Sequence, residues 1–177
     1  MSNKTPKLPY RRSVGIMLIN KFGRVWVGRR VPKWQKDPLK YIWQMPQGGI
    51  VEGEKPRLAA LRELKEEIGT NNVKVLGKSS GWIKYDLPDK LLGVALGGKY
   101  RGHKYKWYVM AFRGSDDEID ITDNNGFKAE FDDWRWVDVM DVEGLGVAFK
   151  EKLYRQVIKK FSHFADNSSK SVTQKSA

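Results

Sequence analysis

Apolar and polar positions along the chain change period several times, and those changes mark the elements. "SVGIMLIN" and "RVWVG" are short apolar runs rich in β-branched and aromatic residues. They are joined by Asn20, Lys21, Phe22 and Gly23, a hairpin turn in which glycine is free to take positive φ. "VKVLGKSSGWIKYDL", "KYKWYVMAFRG" and "DWRWVDV" read as further strands; in the second, Tyr105, Trp107, Val109 and Ala111 share one face. Two segments keep a helical period instead. Pro56 suits the first turn of a helix and Gly69 the position just past its end, which predicts a helix over Pro56 to Ile68. On that helix Leu61, Leu64 and Ile68 cluster on one face, while Glu63, Glu66 and Glu67 fall within a separate arc of roughly 100°. Later, Phe149, Leu153, Val157 and Phe161 recur every fourth residue with Tyr154 and Ile158 beside them, an amphipathic helix with lysines opposite. Strands interleaved with two helices predict a mixed sheet in an α/β fold, without internal repeats.

The ends break both periods. Residues 1–7 and 165–177 are small and polar, and read as flexible tails around a domain from Leu8 to Phe164. With 177 residues, 40% of them hydrophobic and 12% aromatic, the chain suits one domain with a substantial core. There is no cysteine, so disulfides and thiolate zinc sites are excluded, and any metal must be held by oxygen or imidazole. "MSNKTPKLPYRR" has no apolar core of signal-peptide length, and no segment approaches the roughly 18 apolar residues of a membrane span. A soluble, cytoplasmic protein without membrane contact is expected. The formal net charge of +12 favours polyanionic partners, whether nucleic acid or phosphorylated small molecules.

Against that basic background stands "QGGIVEGEKPRLAALRELKEEIGT", Gln47 to Thr70, with its cluster of carboxylates. A Glu run on a helix is usually a solvated face. Adjacent carboxylates repel, however, and three on one surface are costly unless a cation compensates; a hard divalent ion takes oxygen ligands. The wider spacing runs Gly48, five residues, Glu54, seven residues, Arg62-Glu63-Leu64, one residue, Glu66-Glu67, one residue, Gly69. This stretch resembles the Nudix box at every polar and glycine position. It departs at Thr70, where the family pattern has a large aliphatic residue.

The resemblance implies a Nudix fold, a mixed sheet sandwiched between helices, and hydrolysis of a phosphoric anhydride with divalent ions as cofactor. Mg²⁺ or Mn²⁺ is expected, with more than one ion in the active complex. Glu63, Glu66 and Glu67 would be metal ligands, joined by the carbonyl of Gly48, with Glu63 and Glu67 catalytic. Glu54, Arg62 and Gly69 would be structural, Arg62 pairing with Glu54 or Glu66.

The flanks "YRRSVGIMLIN", "WQMPQGGI", "WIKYDLP" and "EFDDWRWV" extend the likeness to one branch of the family, the bacterial RNA pyrophosphohydrolases and diadenosine polyphosphate hydrolases. "KYKW" and "VAFKEKLYR" continue it. By this resemblance Glu130 would be a further metal ligand, or the residue that orients or deprotonates the attacking water. Arg11, Arg30, Lys104 and Lys106 would contact phosphates, Tyr85 would lie at the polyphosphate or base, and Phe149 would stack on a base. For Tyr85 and Phe149 ordinary core packing is the competing reading, and for each single Arg or Lys a solvated surface charge is the competing reading and the one the residues alone favour. The loop Val31 to Tyr41 is longer and more basic than in enterobacterial members, and Arg12 stands where proline is common. Trp34 on that loop reads as an anchor into the core rather than an exposed stacking residue. His103 and His163 receive no role.

The expected reaction removes pyrophosphate from a 5′-triphosphorylated RNA end, leaving a 5′-monophosphate and promoting RNA degradation. The alternative is asymmetric cleavage of diadenosine tetraphosphate or a related dinucleoside polyphosphate to ATP and AMP. No DNA partner is expected. A catalytically silent nucleotide binder and a sanitiser of damaged nucleoside triphosphates are further readings, disfavoured by the intact carboxylate set and by the flanks respectively.

Overall fold

The computed structural model describes residues 8–33, 36–37, 41–122, 126, 128–146 and 148–175, with the side chains of 148–149 and 171–175 outside that description. Its strands are β1 (Tyr10–Ile19), β2 (Val25–Arg30), β3 (Trp43–Gln44), β4 (Gln47–Gly49), β5 (Val73–Lys78), β6 (Ile83–Asp86), β7 (Gly102–Phe112) and β8 (Phe131–Val137). Its long helices are α1 (Pro56–Ile68) and α2 (Ala148–Lys175). The central order is β3-β2-β1-β7-β5, with β4 added to β1, β6 to β7 and β8 to β2. The two longest strands, β1 and β7, run parallel in register from Tyr10 beside Gly102 to Ile19 beside Ala111. The other pairings are antiparallel, so the sheet is mixed.

Alternation along β1 explains the layers. Val14, Ile16 and Leu18 face one side and pack with Ala59, Ala60, Leu64 and Ile68 of α1. Met17 and Ile19 face the other and pack with Leu153, Tyr154, Val157 and Phe161 of α2. Tyr105, Trp107 and Val109 of β7 share the α2 side, as their period requires. The sheet therefore lies between two helices. Val73 to Leu87 forms two strands, because "SSG" at Ser79 to Gly81 turns the chain between β5 and β6, and each pairs its own stretch of β7.

Two local signals act as expected. Pro56 opens α1 and Gly69 ends it with φ 78°, a left-handed conformation that costs glycine nothing. Thr70, the departure from the box pattern, is buried and uses its hydroxyl, which accepts from the Asn72 N–H at 3.1 Å. One expectation differs: α2 does not stop at Phe164 but continues to Lys175 through the segment read as a tail, and Ala165 is 3% exposed. No glycine or proline follows Phe161 to end the helix. Among the described residues no helix is long and apolar enough to cross a membrane.

The α2 side is tied to the strand region that leads into β4. The Tyr154 hydroxyl accepts the Met45 N–H at 3.1 Å, and both residues are buried. Tyr154→Phe should strand that donor and cost about 1–3 kcal/mol, read as a lowered urea midpoint with an unchanged slope.

Candidate active site

The start of β1, the β4 strand, the second half of α1 and the loop before β8 meet at one cavity of about 380 Å³, to which β2, β6, β7 and α2 and the segments after β2 and β6 add further side chains. Packing of Leu64 and Ile68 under the sheet fixes the rotation of α1 and carries Glu63 and Glu67, one turn apart, to β4. There the Gln47 N–H donates to Glu67 at 3.2 Å. Gly48 is required for close approach, because a Cβ at that position would collide with the Glu63 carboxyl. Gly48→Ala should displace that carboxylate and lower kcat by about 10²-fold, with little change in melting temperature; a wild-type kcat would remove the constraint.

Arg62 holds the acidic cluster from behind. Its Nε and Nη2 donate to the two oxygens of Glu54 at 2.8 and 2.9 Å, a bidentate pair. Nη1 donates to Glu63 at 2.8 Å and to Glu66 at 3.2 Å, and Nη2 also donates to the Gly49 carbonyl at 2.9 Å. The Glu54 pair raises the pKa of Arg62, and the same bond lowers that of Glu54. Arg62 thus pairs with both Glu54 and Glu66 and is spent on carboxylates. Glu66, expected beside Glu63 and Glu67, does not line the cavity; its carboxylate is turned toward Arg62.

The three carboxylates that do line it are Glu63, Glu67 and Glu130. Burial raises the pKa of Glu63, with Arg62 opposing. Glu67 is 7% exposed; burial first, then the charges of Glu130 and Glu63, push its pKa well up. Glu130 sits nearer the rim, 3.0 Å from Lys33 Nζ and 3.7 Å from Arg30 Nε. Among the described residues no three of these side chains converge into a closed metal site on their own. The donor set nevertheless fits a hard divalent cation held jointly with phosphate oxygens. It is all oxygen, its most buried carboxylate is crowded by like charge, and Gln47, which also lines the cavity, has a buried Oε1 acceptor without a partner among the described residues.

Four cations share the cavity with the acids: Arg11, Arg30, Lys33 and Lys150. Arg30 is 5% exposed and anchored by Asp37 at 2.6 Å, a buried carboxylate that also accepts the Lys33 N–H at 2.9 Å. Lys150 is 2% exposed and donates to Gln44 Oε1 at 3.3 Å. Burial, then the Arg30 and Lys33 charges, lower its pKa to about 7. The remaining wall is aromatic and apolar. Tyr85, His103 and Tyr105 stack in sequence with centroids 5.5 and 5.1 Å apart, and Leu87, Leu91 and Leu96 close the far end. The His103 Nδ1 lies 2.8 Å from Ser13 Oγ; burial, with Lys150 and Arg11, lowers its pKa to about 3, so the ring is neutral. Burial pushes Tyr85 up to about 12.

Of the expected substrate contacts, Arg11, Arg30 and Tyr85 line the cavity. Lys104 and Lys106 do not: alternation along β7 puts them on the face opposite His103 and Tyr105, around Trp82. Phe149 lies in α2, but its side chain, like all of Trp34, is outside the described residues. Gln47, Lys33, His103 and Lys150 had no expected role. A sequence signal existed for Lys150, which precedes Tyr154 and Val157 by four and seven residues on the buried stripe of α2.

A family profile described as the NUDIX domain matches residues 9–157. A protein of Brucella abortus (strain 2308) named RNA pyrophosphohydrolase is 50% identical, over 89% of this chain and 90% of its own. A Brucella anthropi protein of the same name is 48% identical, over 88% of this chain and 91% of its own. Among solved structures, the E. coli dihydroneopterin triphosphate pyrophosphohydrolase superposes with a TM-score of 0.63 at 20% identity, covering 87% of this chain and 97% of the other. A C. elegans Ap4A hydrolase does so with a TM-score of 0.60 at 18% identity, covering 89% and 98%. At such identities the two structures speak to fold alone.

Proposed function

This chain belongs to the Nudix family, and from that premise we propose that it converts 5′-triphosphorylated RNA ends to 5′-monophosphorylated ones. The observation that carries the reading is one small cavity lined together by three carboxylates, four cationic side chains and a set of aromatic and apolar side chains. A triphosphate needs the cations, a divalent cofactor needs the acids, and a nucleoside suits the remaining wall. The name borne by the Brucella relatives and the net charge of +12 favour RNA over a dinucleotide.

Water attacks within the triphosphate, a P–O–P anhydride bond breaks, pyrophosphate leaves, and the RNA keeps one phosphate. Glu63, Glu67, Glu130 and the carbonyl of Gly48 would hold Mg²⁺ or Mn²⁺. Divalent ions supply neutralisation and polarisation of the phosphate oxygens in such chemistry. Arg11, Arg30, Lys33 and Lys150 bind and orient the triphosphate, Arg30 rigidly because Asp37 fixes it. Glu130, the most open of the three acids, orients the attacking water or takes its proton. Leu87, Leu91 and Leu96 exclude bulk water from the far end. In a cell such an enzyme would act in the cytoplasm, where transcripts with these ends arise.

The test is kcat/KM with Mg²⁺ for triphosphorylated RNA and for diadenosine tetraphosphate at two salt concentrations. RNA should win, with an advantage that shrinks as salt rises. A dinucleotide that wins at both salts would make this a dinucleoside polyphosphate hydrolase with the same acids. Excess chelator should abolish either activity.

A further inference from the structure

Among the described residues, α1 covers only part of the sheet face on which it packs. α1 packs over Val14, Ile16, Leu18, Tyr108 and Met110. Toward the starts of β1 and β7 the same face is left to side chains of another kind. Arg12 pairs in register with Lys104, Val14 with Lys106, and Lys84 of β6 flanks Lys104 on its other side. The centre of this surface is an indole: Arg12, Lys104 and Lys106 place their charges 5.4, 5.4 and 5.8 Å from the Trp82 ring centroid. A second ring lies beside it, with Lys84 and Arg101 at 5.4 and 5.1 Å from the centroid of Tyr10. Asp86 accepts from Tyr10 and Arg101, both at 2.8 Å. Among the described residues none of Arg12, Lys84, Lys104 and Lys106 has a carboxylate partner.

Like charges gathered on one surface repel, and the ring faces offset only part of that repulsion. A polyanion laid across them would relieve it and release counterions. Cations spaced along strands around an aromatic ring are also how single-stranded nucleic acids are held without sequence preference. The position suits the substrate. Arg11, Ser13, His103 and Tyr105 line the catalytic cavity, and Arg12 and Lys104 alternate with them on the other face of the same two strands. A chain whose 5′ end sits in the cavity reaches this surface around the shared starts of β1 and β7.

We propose that this face binds the single-stranded RNA that follows the triphosphorylated 5′ end, with phosphates on Arg12, Lys84 and Lys104 and a base against Trp82. The proposal rests on RNA being the substrate.

The test compares the wild type with an Arg12→Ala/Lys84→Ala double variant and with Trp82→Leu, on a triphosphorylated dinucleotide and a triphosphorylated strand of about 15 nucleotides. Arg12 and Lys84 are exposed, so the double variant should fold. On the dinucleotide, kcat/KM should stay within about twofold of wild type; on the longer strand it should fall about tenfold through KM. For the double variant the slope of log kcat/KM against log salt should flatten by about 1.4, two charges at ~0.7 each. Equal losses on both substrates, or none on either, would overturn the proposal; the second result would leave the surface to a protein partner. Anisotropy with a 5′-hydroxyl strand of the same length separates this proposal from the functional reading. If the wild type hydrolyses neither RNA yet binds this strand, and the variants lose that binding, the surface stands and the substrate assignment falls. Absence of binding to the wild type sinks the surface.

Discussion

Glu67→Gln should lower kcat on triphosphorylated RNA by about 10²–10⁴-fold and, in metal-free protein, make the fold more stable. Both effects come from one arrangement. Glu67 is 7% exposed, accepts a single backbone N–H at 3.2 Å, and shares its cavity with Glu63 and Glu130. Burial and those two charges raise its folded-state pKa well above 4.5. A carboxyl raised in this way holds more protons folded than unfolded between its two pKa values, so its contribution to stability falls as pH rises through that window. Glutamine keeps the shape and removes the charge. With chelator present, the melting temperature of Glu67→Gln minus that of wild type should be near zero below about pH 4 and grow positive from 4.5 upward. Added Mg²⁺ should raise the wild-type value and leave the variant's almost unmoved. A variant kcat within threefold of wild type would move the chemistry away from α1.

Arg62→Ala should be the most destabilising of the site substitutions, and Arg62→Lys should recover only part of the loss. One guanidinium serves Glu54, Glu63, Glu66 and the Gly49 carbonyl at once, with bonds from 2.8 to 3.2 Å. Alanine leaves three carboxylates facing one another without a cation. Breaking a buried ion pair costs about 3–5 kcal/mol, and the lower end, about 3 kcal/mol, is expected here. The Arg62 side chain is 31% exposed, so solvent screens part of the charge. Lysine restores the charge but has no fork to hold Glu54 bidentately while reaching Gly49. Activity should fall about 10–100-fold in both variants, because the Glu63 carboxylate loses its partner on the side away from substrate. Urea midpoints and kcat/KM measured on the same preparations check both. Equal stability of Arg62→Lys and wild type would show that the charge alone matters.

Local order set several features that the chain pattern already displayed. Pro56 and Gly69 bound α1 because one lacks an N–H that the first turn does not use and the other tolerates left-handed backbone. Period-two alternation in β1 and β7 assigned each side chain to one of two sheet faces, and the spacing of the box placed Glu63 and Glu67 one turn apart. These are short-range consequences of backbone geometry, and so they can be read from neighbouring residues.

Whether a given charge reaches the cavity depends instead on which elements meet across long stretches of chain. Glu66 sits three residues from Glu63, yet Arg62 draws it aside. Lys104 and Lys106 flank Tyr105 but point to the opposite face, whereas His103, without any motif, stands in the cavity wall between Tyr85 and Tyr105. Lys150 arrives from α2, more than a hundred residues after Gln44, to which it donates. The chain order thus determined the family, the sheet with its two helices, and the helix face that carries Glu63 and Glu67 to the cavity. Tertiary packing decided which cations share the cavity with those acids, how far Glu63 and Glu67 are pressed toward their neutral forms, and which basic side chains face outward, because desolvation and Coulomb repulsion depend on distance in space rather than along the chain.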